Sequence, residues 1–286
     1  MRGRASAPAA GTVLNALANG YGSAFAIDAD TEATVHLDDS GEVTGEVAGE
    51  PDADTRLVER CVERVLEGHG DAATGGSVHT QSEVPMASGL KSSSAAANAT
   101  VLATLDALGV DGVDRLDACR IGVEAARDVG VTITGAFDDA SASMLGGVTV
   151  TDNRADELLH RDQPDWDVLV YTPDERAFSA DADVARCERV APMADVVYEL
   201  ATDGDYERAM TLNGLAFCAA LGYPTEPIVE GLPDAAVSLS GTGPSYTAVG
   251  DRATLESLAE RWRQREGDTW LTRIQTSGAT TGATTE

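Results

Sequence analysis

The sequence predicts an α+β protein of two sheet-bearing halves, and three observations carry that expectation. Short β-compatible runs separated by glycine occur near both ends of the chain. Longer segments with helical periodicity stand among them. The polar stretch "DNRADELLHRDQPD", residues 152–165, divides the strands into two groups and is the expected domain boundary. With 286 residues and 43% hydrophobic content, the chain has enough apolar surface for a sizeable core.

Read in order, "GTVLNALANGYGSAFAID" is rich in small and β-compatible residues punctuated by Gly20 and Gly22, which predicts two strands joined by a turn. "ATVHLDD" and "GEVTGEV" continue as short strands. From Asp54 to Glu67 the spacing of Leu57, Val58, Cys61, Val65 and Leu66 predicts a surface helix ending at Gly68. "SVHTQSEV" reads as a strand. Ser92 to Leu108, almost all small or apolar, reads as a buried helix, and Val113 to Val129 as a second helix. "GVTITGAFDDASASMLGG" is expected to be a loop before the strands "VTVTD" and "WDVLVYTP". Two helices follow from Ala191 to Leu221, the first packed through Met193, Val196, Val197 and Leu200, the second through Ala209, Leu212, Leu215, Ala216 and Ala219. "AAVSLSGTGPSYTAVG" gives strand, glycine turn, strand; "ATLESLAERWRQRE" is an amphipathic helix; the low-complexity tail from residue 276 to 286 is expected to be disordered.

Charge excludes several function classes. Forty-eight acidic residues face 20 basic ones, a formal charge of -28 spread along the chain. Nucleic acid and anionic membrane are therefore poor partners. A dispersed acidic surface with a single lysine, Lys91, beside nineteen arginines suits a protein dissolved in concentrated salt, a halophile's cytoplasm. At ~1 M salt the Debye length is about 3 Å, so surface charge would hardly repel an anionic substrate. Cys61, Cys119, Cys187 and Cys218 are dispersed and read as reduced thiols; His36, His69, His79 and His160 show no zinc spacing. No stretch approaches the ~20 apolar residues of a membrane span, and a soluble monomer or homodimer is expected.

The chemistry concentrates in glycine-rich loops. In "PMASGLKSSSAAANA", Gly89 lets backbone approach a ligand, while Ser92 to Ser94 supply hydroxyls and a helix N-terminus whose N–H groups and dipole attract anions. The loop is not a P-loop, because Leu90 rather than glycine precedes Lys91. A small-residue helix start packed under a sheet would explain the composition alone. The only lysine of the chain does not fit that explanation, and a compact three-donor cation facing phosphates does.

On these residues the sequence resembles the GHMP kinases. Pro85, Met86, Ala87, Ser88, Gly89, Leu90, Lys91, Ser92, Ser93, Ser94 and Ala95 resemble their phosphate loop, P-x-x-x-G-L-G-S-S-A, with Lys91 in place of its second glycine. "GTVLNALANGYGSAFAID" takes the place of the N-terminal substrate motif, and "SLSGTGPSYTAV", with Gly241 and Gly243, that of the C-terminal glycine loop. With "TITGAFDDASAS", the pattern is most similar to the archaeal type of shikimate kinase. The resemblance implies a two-domain fold: a ribosomal protein S5 domain 2-like N-terminal domain over 1–155 and a ferredoxin-like C-terminal domain over 160–275. It also implies ATP and Mg2+ as cofactors and a small alcohol, shikimate, as acceptor.

Residue by residue, the resemblance implies Asp138 as base for the acceptor hydroxyl, Lys91 at the phosphates, and Ser93 with Glu124 as metal ligands. Asn15 and Thr134 fall in loops where the family holds its acceptor, and Thr242 is placed to reach either substrate; an arginine fork would suit the acceptor carboxylate, and of the nineteen arginines Arg176, in the loop "TPDERAFS", is the candidate. Taken alone, Asp138 and Asp139 would equally suit a capped turn, and Glu124 a solvated helix face. Homoserine or another small alcohol is the competing acceptor. A non-catalytic nucleotide-binding regulator is the rival of a different class, and a purely structural protein is disfavoured by three separate glycine loops.

Overall fold

The computed structural model describes residues 1–70, 73–174 and 182–282. Strands β1 (Arg2–Leu14) and β2 (Tyr21–Asp38) form a long antiparallel ribbon with register shifts at Pro8/Ala10 and Thr12/Leu14. Both strands reach well beyond the expected runs, and "ATVHLDD" is the far half of β2. That half pairs with β4 (Gly75–Ser82), which pairs in parallel with β3 (Val43–Val47). The near half of β2 pairs instead with β5 (Val148–Asp152), which continues to β6 (Glu157–Asp162). The polar stretch expected to separate the domains is thus partly a strand of the N-terminal sheet. Its side chains are mostly exposed, which hides it from hydropathy.

Against this sheet lie α1 (Arg56–His69), α2 (Ser92–Leu108), α3 (Arg115–Val129) and α4 (Phe137–Leu145). Alanine and valine from α2 and Val58, Cys61, Val62 and Val65 from α1 join Val35 and Val78 of the sheet in one core. Asp114 caps α3 by accepting from Leu116 and Asp117 N–H. The helix α4 corrects the expectation of a continuous loop over 130–147: seven of its nine residues are buried, and burial rather than propensity makes this Asp-Asp-Ser segment helical.

The second sheet holds β7 (Asp167–Thr172), β8 (Ala236–Leu239), β9 (Tyr246–Gly250) and β10 (Asp268–Arg273) in the antiparallel order β10-β7-β9-β8. With helices between its first and second and its third and fourth strands, this is the ferredoxin-like arrangement. Its inner strands are buried on both faces, as in β7: Val168 and Val170 point to the core shared with β1 and β2, Leu169 and Tyr171 to a core closed by Phe217, Leu258 and Trp262, while the edge strand β10 is only partly covered. Helices α5 (Val184–Glu188), α6 (Ala191–Thr202), α7 (Tyr206–Leu221), α8 (Glu226–Gly231) and α9 (Arg252–Trp262) complete this half.

The faces of α6 and α7 differ from expectation. The buried stripe of α6 is Ala194, Val197 and Ala201, while Met193 and Val196 are exposed. On α7 the buried residues include Met210, Asn213, Gly214 and Phe217. On α6 small residues permit close approach, so Met193 and Val196 lie outside the contact, whereas α7 turns its large Met210 and Phe217 inward. The tail expected to be disordered is described to residue 282, and there Thr280–Thr281 forms β11, paired with Ala5 and Ser6 of β1.

Candidate active site

One cavity of about 460 Å³ lies where the two halves meet. It is lined by the loop after β1, the loop before α2, the N-terminal turn of α2, the segment 130–136, the start of α4 and the glycine loop between β8 and β9.

The loop before α2 is held from behind. The Gly89 carbonyl accepts from Ser240 Oγ at 2.8 Å and the Ser88 carbonyl from Ser245 N at 3.0 Å. A side chain at Gly89, where φ is +86°, would put Cβ 2.5 Å from the Ser240 carbonyl oxygen. Leu90 is fully buried, and its carbonyl accepts from Ala10 N. Gly241 N donates to Thr12 Oγ1, and Asn15 Nδ2 donates to the Gly241 carbonyl. The C-terminal glycine loop therefore braces the N-terminal one.

Lys91 occupies the N-cap of α2 with φ +63°, a left-handed backbone unusual for a residue with Cβ. No side chain caps the helix, so the first-turn N–H groups at Ser92, Ser93 and Ser94 open on the cavity. The Lys91 ammonium passes over Gly241, where a Cβ would sit 2.9 Å from Nζ, and pairs with Asp139 Oδ1 at 2.7 Å. Both side chains are largely buried, 9% and 13% exposed.

Asp138 lies beside this pair, 4% exposed. Its Oδ1 accepts from Asn153 Nδ2 at 2.6 Å, and its backbone N–H donates to Asn153 Oδ1 at 3.1 Å. Burial pushes its pKa up to about 7, helped by the Asp139 charge and opposed by the Lys91 ammonium and the Asn153 hydrogen bond. Gly22 of β2 makes room for it, since a Cβ there would fall 2.6 Å from Asp138 Cγ and Oδ2.

Of the residues singled out in the sequence, Met86, Ala87, Gly89, Lys91, Ser92, Ser93, Ser94, Asn15, Thr134, Asp138, Gly241 and Thr242 line this cavity. Pro85, Ser88, Leu90, Ala95 and Gly243 stand outside its lining; Ser88, Leu90 and Ala95 are buried supports. Glu124 is not brought to Ser93. It sits on the face of α3 turned to α1, paired with Arg64, whose Nε also bonds Asp128. Arg176 lies outside the described residues. The sequence reading missed Asn153 and the part played by Gly22, and also Ala97, Gly122, Val123 and Ala126, which form an apolar wall between α2 and α3. Only small residues spaced along two helices hint at that wall; nothing local marks Asn153.

Comparison with known proteins fits this arrangement. Residues 56–147 match the family described as GHMP kinases N terminal domain. A shikimate kinase of Halobacterium salinarum is 66% identical over 284 residues, 98% of this chain and 100% of that protein. A shikimate kinase of Methanococcoides burtonii is 50% identical over 283 residues, 97% of this chain and 98% of that one. Among solved structures, a homoserine kinase from Cytophaga hutchinsonii superposes with a TM-score of 0.77 at 17% identity, covering 98% of this chain and 97% of that one. At that identity it speaks for the fold.

Proposed function

The chain belongs to the GHMP-type shikimate kinases of archaea, and we propose from that membership and the cavity that it transfers the γ-phosphate of ATP to the 3-hydroxyl of shikimate. The observation that carries the chemistry is a single cavity in which a buried carboxylate of raised pKa faces a helix N-terminus crowned by an ammonium. The acceptor is carried by the 66% identical relative.

In this reading the β- and γ-phosphates lie against the N–H groups of Ser92 to Ser94, with Lys91 Nζ as the nearest cation. The base of the nucleotide fits the apolar wall of Ala97, Gly122, Val123 and Ala126. The acceptor oxygen forms a bond to the γ-phosphorus while the bond from that phosphorus to the β-phosphate oxygen breaks, and ADP leaves with the electron pair. The hydroxyl proton passes to Asp138. A carboxylate with a pKa near 7 is about half ionised at neutral pH and mostly ionised above it, and it accepts the proton late, as the loose transition state collapses. The Lys91 ammonium offsets charge gathering on the transferring group.

Magnesium, when bound, would neutralise the β- and γ-phosphate oxygens. Ser93 fits a ligand role, since it lines the cavity at the helix terminus; Glu124 does not fit, being turned to Arg64. Thr134 and Thr242 are proposed to contact the acceptor ring, and Arg176 its carboxylate. The side chain of Asn15 is already engaged by Gly241 and Leu17, so its part is to fix the loop. The acidic surface supports a cytoplasm rich in salt.

A coupled ADP-release assay in high salt with shikimate, homoserine and mevalonate tests the reading. Turnover with shikimate alone is expected; turnover with homoserine and none with shikimate would overturn the acceptor while leaving the fold.

A further inference from the structure

We propose that Asn153 is the positioning residue of the acidic end, gripping one oxygen of Asp138 so that the carboxylate meets the acceptor hydroxyl in one orientation. This rests on the reading of Asp138 as proton acceptor. Asn153 is 2% exposed and stands just beyond β5, in the stretch that looks like a linker in sequence. Its Oδ1 accepts from two donors, Asp138 N at 3.1 Å and Thr151 Oγ1 at 2.7 Å. A backbone N–H can only donate, so the amide cannot turn its NH2 to that side. Nδ2 is thereby aimed at Asp138 Oδ1, 2.6 Å away. The other oxygen, Oδ2, stands over Gly22, where the missing side chain leaves space.

Asn153 is itself anchored. Its N–H donates to the Gly20 carbonyl at 2.9 Å, and its carbonyl accepts from Arg127 Nη2. Arg127 is held by both oxygens of Asp156, at 2.6 and 2.7 Å, and also donates to the Thr134 carbonyl. One guanidinium thus ties the segment 130–136 to the turn that carries Asn153. The charges facing Asp138 are Asp139 of α4 and Lys91 at the cap of α2. The strands packed against it present Gly22 from β2 and the hydroxyls of Thr149 and Thr151 from β5, with no charge. Asn153 is then the neutral donor that favours the ionised form of Asp138.

Asn153→Asp removes that donor but also sets a second carboxyl beside Asp138, so the uncharged Thr151→Val is read with it to separate loss of orientation from added charge. Asn153→Asp keeps the shape and both accepted hydrogen bonds and puts an oxygen where Nδ2 was. Expected are a kcat lower by about 10²-fold, an acid limb of the kcat profile moved up by at least about one pH unit, and a KM for ATP within about threefold of wild type. Thr151→Val, which removes only the hydroxyl that orients the amide, is expected to lower kcat by about tenfold or less with a smaller upward shift; it decides the matter if Asn153→Asp does not fold. Asp138→Asn is measured alongside. If it keeps wild-type kcat, the base reading fails and this inference with it. If it is inactive while the folded Asn153→Asp protein, or failing that Thr151→Val, has an unmoved acid limb, the base reading stands and the positioning role is overturned, whatever the fall in kcat.

Discussion

At one end of the cavity the groups offered to a ligand are backbone N–H groups of a single helix turn, shaped by Gly89 and Gly241 and topped by Lys91. At the other end the group offered is the Asp138 side chain of α4, set from behind the cavity lining by separate elements: Asn153 from the turn after β5, Thr151 from β5, and space from Gly22 in β2. Backbone groups move only with their helix, so the end proposed for the phosphates is as rigid as α2. The acidic end depends on four positions agreeing at once, and a fault in any one displaces the Asp138 carboxylate. The first should degrade gradually under substitution and the second abruptly.

The largest effect is expected at the acidic end. Asp138→Asn keeps the shape and loses the proton acceptor, lowering kcat by about 10²- to 10⁴-fold with little change in KM for ATP. Steady-state kinetics at fixed high salt check this; near-wild-type kcat would show that positioning alone drives the transfer. Gly22→Ala changes no chemical group. The new Cβ overlaps Asp138 Cγ and Oδ2, so a displacement of the order of 1 Å should lower kcat by about 10²-fold while nucleotide binding measured by calorimetry is kept.

At the phosphate end the expected losses are smaller. Lys91→Met deletes the ammonium but not the helix terminus, so kcat/KM for ATP should fall roughly 10- to 100-fold, shared between kcat and KM. Lys91→Arg should recover only part, because the planar guanidinium does not fit over Gly241 toward Asp139 as a compact ammonium does. Equal constants for all three proteins would mean that backbone alone makes this end.

The pH dependence sharpens the contrast. With the Asp138 pKa raised to about 7 and the ionised form active, kcat should rise with pH through that value, and the limb should vanish in Asp138→Asn. The smallest effect is on stability. A carboxyl whose folded pKa lies above its unfolded one contributes stability below the unfolded value, and that contribution is lost as pH rises through about 7. Asp138→Asn should therefore melt a few degrees higher than wild type above neutrality and no higher at about pH 4. A difference that does not grow with pH would show that Asp138 is not buried as a strained charge.

What the sequence by itself determined was local. The helix from Ser92 to Leu108 has the predicted bounds, because small apolar residues, a serine run and a closing Gly109 act within one turn of each other. The glycine loop before α2 and the glycine turn between β8 and β9 were legible for the same reason, as was β7 as a short, nearly continuous apolar run. Tertiary structure decided the rest. The helix α4 forms because Phe137, Ala140 and Met144 reach a core built by other segments, and β6 exists because β5 offers an edge. The buried face of α6 follows how closely neighbouring elements approach rather than which residues are largest. Glu124 looks like a metal ligand until α1 brings Arg64 to it. Asn153 and Gly22 acquire meaning only when β2 and β5 pair, since that register sets Gly22 opposite Thr151, 129 residues on in the chain. Backbone conformation and helix dipoles are written in neighbouring residues; a buried carboxylate's partners come from wherever the chain returns, and no local pattern encodes them.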